Sequence, residues 1–338
     1  MHGVRYRWDG WESREDRPFS LDGEPGVALS RNRERLLARL RTRKGRTREG
    51  LVLVEGPRAL AAALSAGAQV RFVVMEAGLH PTDSLSRLLS RASPEVVEVE
   101  AGAMDGFADT ESPQGILAVV EEPVHPLPTA PWTADDPLPP RRILVLDALQ
   151  DPGNAGTLIR TAVAFGVDAV VALDGTVDPW NPKTVRAAAG EAFRVPIHRM
   201  ACEDFLEWHR EARFTLVVAD AGGQDVRHLP SLLQRIPPAS LEGATRDVIE
   251  AIPANGHQPP WALVVGNEGA GPRSILRGAA DRVLALPLAA GVESLNAAVA
   301  GAVLLWELGP ARDQGPEPES LPPEIPTDPS PEQNRTPS

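Results

Sequence analysis

Five short runs, residues 143–146, 167–173, 215–219, 262–265 and 282–286, are rich in Val, Leu and Ala and almost free of polar interruption. A strand with one wet face alternates apolar and polar residues. One covered on both faces reads as a nearly continuous apolar run. Helix-length segments separate several of these runs, at 156–165, 183–189 and 203–210. Strands buried on both sides and interleaved with helices leave essentially one solution, an α/β fold with a parallel sheet between helical layers. A last helix is expected over 295–308, apolar almost all round, as in helices covered on every side.

The first third of the chain repeats the alternation on a smaller scale. Leu36, Leu37 and Leu40 recur at helical spacing. Residues 51–54 read as a strand. Gly56 and Pro57 open a helix closed by Gly67, and 70–75, 96–99 and 116–120 are further strands. This predicts a small α/β domain over 30–121, after a 1–29 extension without usable periodicity. Seven prolines between residues 121 and 140 mark a stiff linker, assigned to 122–140. The main domain is then 141–309, with an inserted loop at 222–260. Beyond it, a tail at 310–338 with six acids and many prolines has the composition of a disordered segment.

Composition narrows the chemistry. The longest apolar run, 297–306, is too short for a membrane span, and the N-terminus lacks the apolar core of a secretory signal. A cytoplasmic setting is expected. The single Cys202 excludes an internal disulfide, and no His-Glu-x-x-His or Cys-x-x-Cys points to a metal, so none is expected. The common phosphate-binding glycine motifs are missing as well. The net charge of −12 taken as a sum is unsuited to binding nucleic acid, but residues 31–48 hold nine basic residues and one acid. Such density neutralises phosphates. Arg31, Arg33, Arg41, Arg43, Lys44 and Arg46 are the candidate contacts there, with Arg58 nearby.

Three segments place Gly, Asn and an ionisable or hydroxyl side chain directly after strands, where open α/β sheets put their ligands. Asp151-Pro152-Gly153-Asn154 is a strong turn signal, with Asn154 able to cap the following helix and Arg160 inside it. Gly266-Asn267-Glu268-Gly269 follows the 262–265 strand. There Gly266 would let a ligand approach the backbone. Leu286-Pro287-Leu288 leads to Glu293-Ser294-Leu295-Asn296, where Ser294 reads as an ordinary cap of the last helix.

In this order the trio resembles the three motifs of the SpoU/TrmH family of RNA ribose 2′-O-methyltransferases, members of the knotted SPOUT class. The resemblance covers about 143–308. Residues 53–58 and 109–116 resemble the ribosomal-protein-like substrate-binding domain attached to many such enzymes. The resemblance implies a sheet domain that closes a trefoil knot and works as a homodimer, consistent with an apolar last helix that one sheet rarely covers. It also implies a site for S-adenosyl-L-methionine against Val265, Gly266, Leu286, Leu288 and Leu295. By the same likeness, Arg160, Asn154, Glu268, Ser294 and Asn296 would form the catalytic pocket. Pro272 departs from the aliphatic residue usual at its position. Lys183 and Arg186 could contact RNA phosphates, a scaffolding role being equally open.

In the family Arg160 is proposed to take the proton from the 2′-hydroxyl. Arginine stays protonated in nearly every protein setting, so binding the hydroxyl and stabilising the forming alkoxide is the alternative role. The expected substrate is structured RNA, ribosomal in preference to transfer RNA. The alternatives are a transfer-RNA 2′-O-methyltransferase and a non-catalytic RNA-binding or ribosome-assembly protein on the same fold.

Overall fold

The computed structural model describes residues 29–107, 113–125, 142–212, 214–228 and 260–309. The expectations for 1–28, for most of the Pro-rich linker and of the 222–260 insertion, for 310–338, and for Asp109 to Ser112 of the second resemblance lie outside them.

Two sheets organise the chain. The first is built from β1 (Leu51–Glu55), β2 (Val70–Glu76), β3 (Glu95–Val99) and β4 (Ile116–Glu121), in the order β1-β4-β2-β3. Strand β4 is antiparallel to both neighbours, whereas β2 and β3 are parallel. Helices α1 (Arg31–Leu40), α2 (Arg43–Glu49), α3 (Pro57–Ser65) and α4 (Asp83–Ala92) cover it. The side-chain period of two sends Val52, Val54, Val73 and Met75 to one face and Leu53, Phe72 and Val74 to the other. The α3 side packs into the first face and Leu37 and Leu40 of α1 into the second.

The second sheet has six strands, all parallel: β5 (Arg142–Leu146), β6 (Ala169–Leu173), β7 (Ile197–Met200), β8 (Thr215–Asp225), β9 (Trp261–Val265) and β10 (Arg282–Ala285). Their order is β10-β8-β9-β5-β6-β7. Every residue of β6 and β9 is buried, as expected of strands covered on both faces. Leu144 and Leu146 face the layer of α5 (Pro152–Ala164), α6 (Pro182–Ala187) and α9 (Ala297–Leu308). Ile143 and Val145 face the layer of α7 (Cys202–Ala212) and α8 (Ser274–Ala279).

Three expectations are corrected. Helix α5 begins at Pro152 with Asp151, not Asn154, as its cap, the Asp151 carboxylate accepting the Asn154 N–H at 2.7 Å. Helix α9 begins at Ala297 and is capped by Asn296 rather than Ser294. In both, the side chain that caps is the one whose backbone sits just outside the first turn with its oxygen over the free N–H groups. The 222–260 insertion is not loop from its start, because β8 continues to Asp225, and Gln224 and Asp225 pair with Leu284 and Ala285.

Nor is α9 covered on every side within one chain. Ala298, Gly301, Leu304, Leu305 and Leu308 are buried, while Val299, Val303 and Trp306 are 51%, 38% and 53% exposed. These three lie one helical turn apart along one stripe. The Trp306 ring stands 5.8 Å from Phe165 at the end of α5, extending the stripe.

Candidate active site

The carboxyl ends of β5 and β9 carry two turns that bond to each other. After β5, Ala148 takes a left-handed conformation (φ 55°). This is a costly state for a residue with a Cβ, held only when its surroundings demand it. Here the Asn267 amide of the second turn donates to the Ala148 carbonyl at 2.8 Å. The Asn267 oxygen accepts from the N–H groups of Gly269 and Ala270, so one side chain braces both turns. Gly266 is needed for closure of this turn. A Cβ there would fall 2.2 Å from the Pro272 nitrogen and 2.5 Å from the Gly271 carbonyl carbon. Pro272, buried, thus packs directly on Gly266.

Glu268 extends from this turn to the start of α5. Its carboxylate accepts the backbone N–H of Gln150 and of Asp151, each at 3.2 Å, and the Asn154 amide at 3.0 Å. The Asn154 oxygen accepts from the Asn296 amide at 2.9 Å. The Asn296 oxygen already takes the N–H groups of Ala298 and Val299. The chain of bonds is therefore polarised in one direction: Asn296 must donate, Asn154 accepts and donates onward, and Glu268 accepts at the end. Three segments far apart in sequence meet in this relay.

Burial tends to raise the pKa of Glu268, but the hydrogen bonds from Asn154, Gln150 and Asp151 outweigh it and hold the group below the usual carboxylate value. A depressed carboxylate contributes its bracing at pH above its ordinary pKa, and loses it as pH falls through the depressed one. The relay is thus complete near neutrality. On acidification, the amide resonances of Gln150 and Asp151 should move with a midpoint below about 4.3, the ordinary glutamate value. A midpoint above that value, or resonances that do not move, would contradict the relay.

A second ionic cluster lies directly beneath. Asp147, fully buried, accepts Nε of Arg273 at 2.5 Å and the Arg273 backbone N–H at 2.8 Å. The same guanidinium donates to both Asp174 oxygens, at 3.1 and 3.0 Å. Burial works against the charge of Arg273, but its bonds to Asp147 and the nearby carboxylates raise its pKa. Asp174 is lowered, burial being outweighed by the Cys202 N–H and by Arg273. This clamp ties the turn bearing Glu268 to the ends of β5 and β6. Asp147 and Arg273 escape the sequence reading. Their one legible signal is an acid closing an apolar strand, which demands a cation somewhere in the fold.

The other expected residues divide. Arg160 is exposed on α5, and its guanidinium makes no hydrogen bond or ion pair among the described residues. It lies six positions beyond Asn154, which turns it by about a third of a revolution from the relay. Ser294 and Leu295 are exposed in the segment between β10 and α9, and Leu286 and Leu288 are half-buried. Val265 is buried, its carbonyl taken by the Asp147 N–H, so any role in ligand contact is not through its side chain.

Among the basic candidates, Arg31, Arg41, Arg43, Lys44, Arg58 and Lys183 reach solvent. Three are engaged inside the fold. Arg33 pairs with Glu95 at 2.6 Å and lies over the Phe72 ring, and Arg186 pairs with Glu55 at 3.3 Å. Arg46, at 2% exposure, cannot meet a phosphate. Its donors are consumed by Asp178 and the Leu40 carbonyl.

Comparison with known proteins gives a consistent set. Residues 141–306 match the model of the SpoU rRNA Methylase family, and residues 32–118 match the MRM3-like substrate binding domain. The chain is similar to the 23S rRNA (guanosine(2553)-2'-O)-methyltransferase RlmP of Bacillus subtilis. The two are 34% identical over 271 residues, covering 80% of this chain and 93% of that protein. It is also similar to the mitochondrial rRNA methyltransferase 3 of Homo sapiens, 27% identical over 299 residues, with 79% and 69% covered. Among solved structures it resembles the SpoU methyltransferase AviRb of Streptomyces viridochromogenes in complex with AdoMet. That match has a TM-score of 0.63 and 26% identity, covering 82% of this chain and 96% of that one. A TrmH-family protein from Porphyromonas gingivalis matches with a TM-score of 0.64 and 29% identity, over 84% and 99%.

Proposed function

Because the chain belongs to the SpoU rRNA methylase family, it is an S-adenosylmethionine-dependent RNA ribose 2′-O-methyltransferase, and we propose that ribosomal RNA is its substrate and a homodimer its working form. The observation that carries the reading is the Glu268–Asn154–Asn296 relay, which joins all three motif segments at the carboxyl edge of the sheet.

The residues fit the cofactor. Gly266 and the segment from Leu286 to Leu295 edge the site. Among the described residues no hydrogen bond occupies the backbone N–H of Leu288 or Leu295, and Val292 and Leu295 are 49% and 41% exposed. Unpaired backbone donors beside apolar side chains suit an adenosine, which has a hydrogen-bonding edge and an apolar face. Bound S-adenosylmethionine supplies a methyl carbon made electrophilic by the adjacent sulfonium. The protein's task is to place the ribose hydroxyl and to stabilise charge on its oxygen. Arg160, with no partner among the described residues, is assigned to that oxygen. Asn154, Asn296 and Glu268 form the polar floor, and Ser294 lines it. Arg31, Arg41, Arg43, Lys44, Arg58 and Lys183 hold RNA phosphates.

The path of the chain supports a trefoil knot. Strand β10 lies at the sheet edge beside β8, yet the segment after it returns to Asn154 near the centre of the sheet. The uncovered stripe Val299–Val303–Trp306 supports the dimer, since apolar surface of this kind marks an interface. A two-fold axis there would bring α5 and Arg160 towards the partner subunit. Val303→Glu should sediment as a monomer where the unmodified chain sediments as a dimer, and a monomeric unmodified chain would refute the assembly. Among the described residues no helix is long and apolar enough to cross a membrane. We place the enzyme in the cytoplasm with its ribosomal substrate.

The direct test is transfer of a tritiated methyl group to ribosomal and transfer RNA, followed by mapping of 2′-O-methyl nucleotides. Label confined to ribose 2′-oxygens of ribosomal RNA is expected. Label on bases or on transfer RNA alone, or none, would overturn the reading.

A further inference from the structure

The buried Arg46 suggests a purpose for the joint between the two sheets. Its Nε and Nη2 donate to Oδ2 of Asp178 at 3.0 and 2.5 Å, and its Nη1 donates to the Leu40 carbonyl at 2.9 Å. Asp178, 4% exposed, lies between β6 and α6. Its other oxygen accepts from the Arg199 guanidinium and from the backbone N–H of Trp180, both at 3.2 Å. Arg199 in turn pairs with Glu122, one residue beyond β4. Beside this network the backbones touch. A Cβ on Gly190 (φ 80°) would fall 2.4 Å from the Ala59 carbonyl oxygen. A single apolar core runs from Val52 and Leu60 through to Leu144 and Leu158. The first sheet is therefore set rigidly on the second.

The joint connects the basic surface to the active site by an unbroken set of contacts. Helix α2 carries Arg46 inward and Arg43, Lys44 and Arg48 outward. The loop bearing Asp178 is bonded three times to the end of β5 and the turn that follows it. The Thr176 hydroxyl donates to the Leu146 carbonyl at 2.8 Å, the Val177 N–H to the Leu149 carbonyl at 2.7 Å, and the Gln150 amide to the Gly175 carbonyl at 2.6 Å. Gln150 and Asp151 in turn hold Glu268. A buried ion pair gains little over apolar residues of the same size, so its use here is geometric. Two N–H groups of one planar guanidinium on one oxygen fix direction and distance, which an apolar contact does not.

We propose that Arg46 and Asp178 are positioning residues that set the spacing between the phosphate-binding face of α1 and α2 and the methylation site, and so select which nucleotide of a bound RNA is presented. The proposal rests on the methyltransferase reading above. A chain anchored by its phosphates a fixed distance from the acceptor site can offer only the nucleotide that spans that distance.

The test is Arg46→Met combined with Asp178→Leu, assayed on a ribosomal RNA fragment for kcat and KM, for S-adenosylmethionine affinity, for melting temperature and for the map of 2′-O-methyl positions. Melting and cofactor affinity should stay near those of the unmodified enzyme. The kcat/KM for RNA should fall by about 10- to 100-fold, as for a misplacement of about 1 Å, and methylation should spread to neighbouring nucleotides. Arg199→Gln with Glu122→Gln loosens the outer strut while leaving Arg46 paired. It should change the map in the same direction, more weakly, and it decides the question if the first variant does not fold. If the unmodified enzyme methylates one nucleotide and the folded variants methylate that nucleotide alone with unchanged kcat/KM, the spacing role is wrong. If the unmodified enzyme methylates no RNA, the underlying reading fails as well.

Discussion

Arg160→Ala should lower the rate of methyl transfer by about 10²- to 10³-fold, the effect of removing one charge-stabilising donor from an active site. S-adenosylmethionine binding and thermal melting should stay unchanged. The reason is the isolation of Arg160 within the fold. It is exposed on α5, donates to no described group, and is turned away from the relay that holds the three motif segments. Its removal therefore costs no packing and no intramolecular bond, and the whole effect should appear in the chemical step. Arg160→Lys should recover little, because an ammonium does not reproduce the planar fork of a guanidinium. Single-turnover kinetics with saturating RNA, beside calorimetric titration of the cofactor, separate the two steps. Retention of more than about a tenth of the rate, a barrier change under about 1.4 kcal/mol, would remove Arg160 from the reaction.

Asp178→Ala should produce the largest loss of stability among single substitutions at the joint, about 3–5 kcal/mol. The Arg46 guanidinium is 2% exposed, and without Asp178 it keeps only the Leu40 carbonyl. Nor can it reach water without opening the joint, since a buried unpaired charge is far costlier than the pair was favourable. Arg199 would lose one of its two acid partners, but at 31% exposure it can turn to solvent. Urea titration followed through Trp180, whose backbone N–H also donates to Asp178, measures the change. A shift below about 1 kcal/mol, the scale of an exposed pair, would mean that the joint is wet.

The contrast between these two arginines shows where sequence reasoning runs out. Both sit in helices, and Arg46 lies in a stretch of nine cations whose density reads as a phosphate-binding surface. Nothing local distinguishes Arg46 from Arg43 or Arg48. The distinction comes from Asp178, 132 residues away, which supplies the carboxylate that makes burial tolerable. Asp147 and Arg273, 126 residues apart, are a second case. The helix caps are a third. Asp151 and Asn154 are both good capping residues, as are Ser294 and Asn296. In the structure Asp151 and Asn296 cap. Asn154 is left free to bridge Asn296 and Glu268, a use that only the neighbouring segments create.

What the residues announce without any coordinates is therefore the periodic part. Apolar runs buried on both faces specify strands of a parallel sheet, and the Gly- and Asn-rich segments after them mark its carboxyl edge, because the spacing of side chains along a helix or strand is a local property of the backbone. Which acid neutralises which base, which amide joins the relay, and which face of α9 stays uncovered depend on groups brought together from distant parts of the chain. Hydrogen bonds and ion pairs act over a few ångströms, so these partners exist only once the sheets have packed.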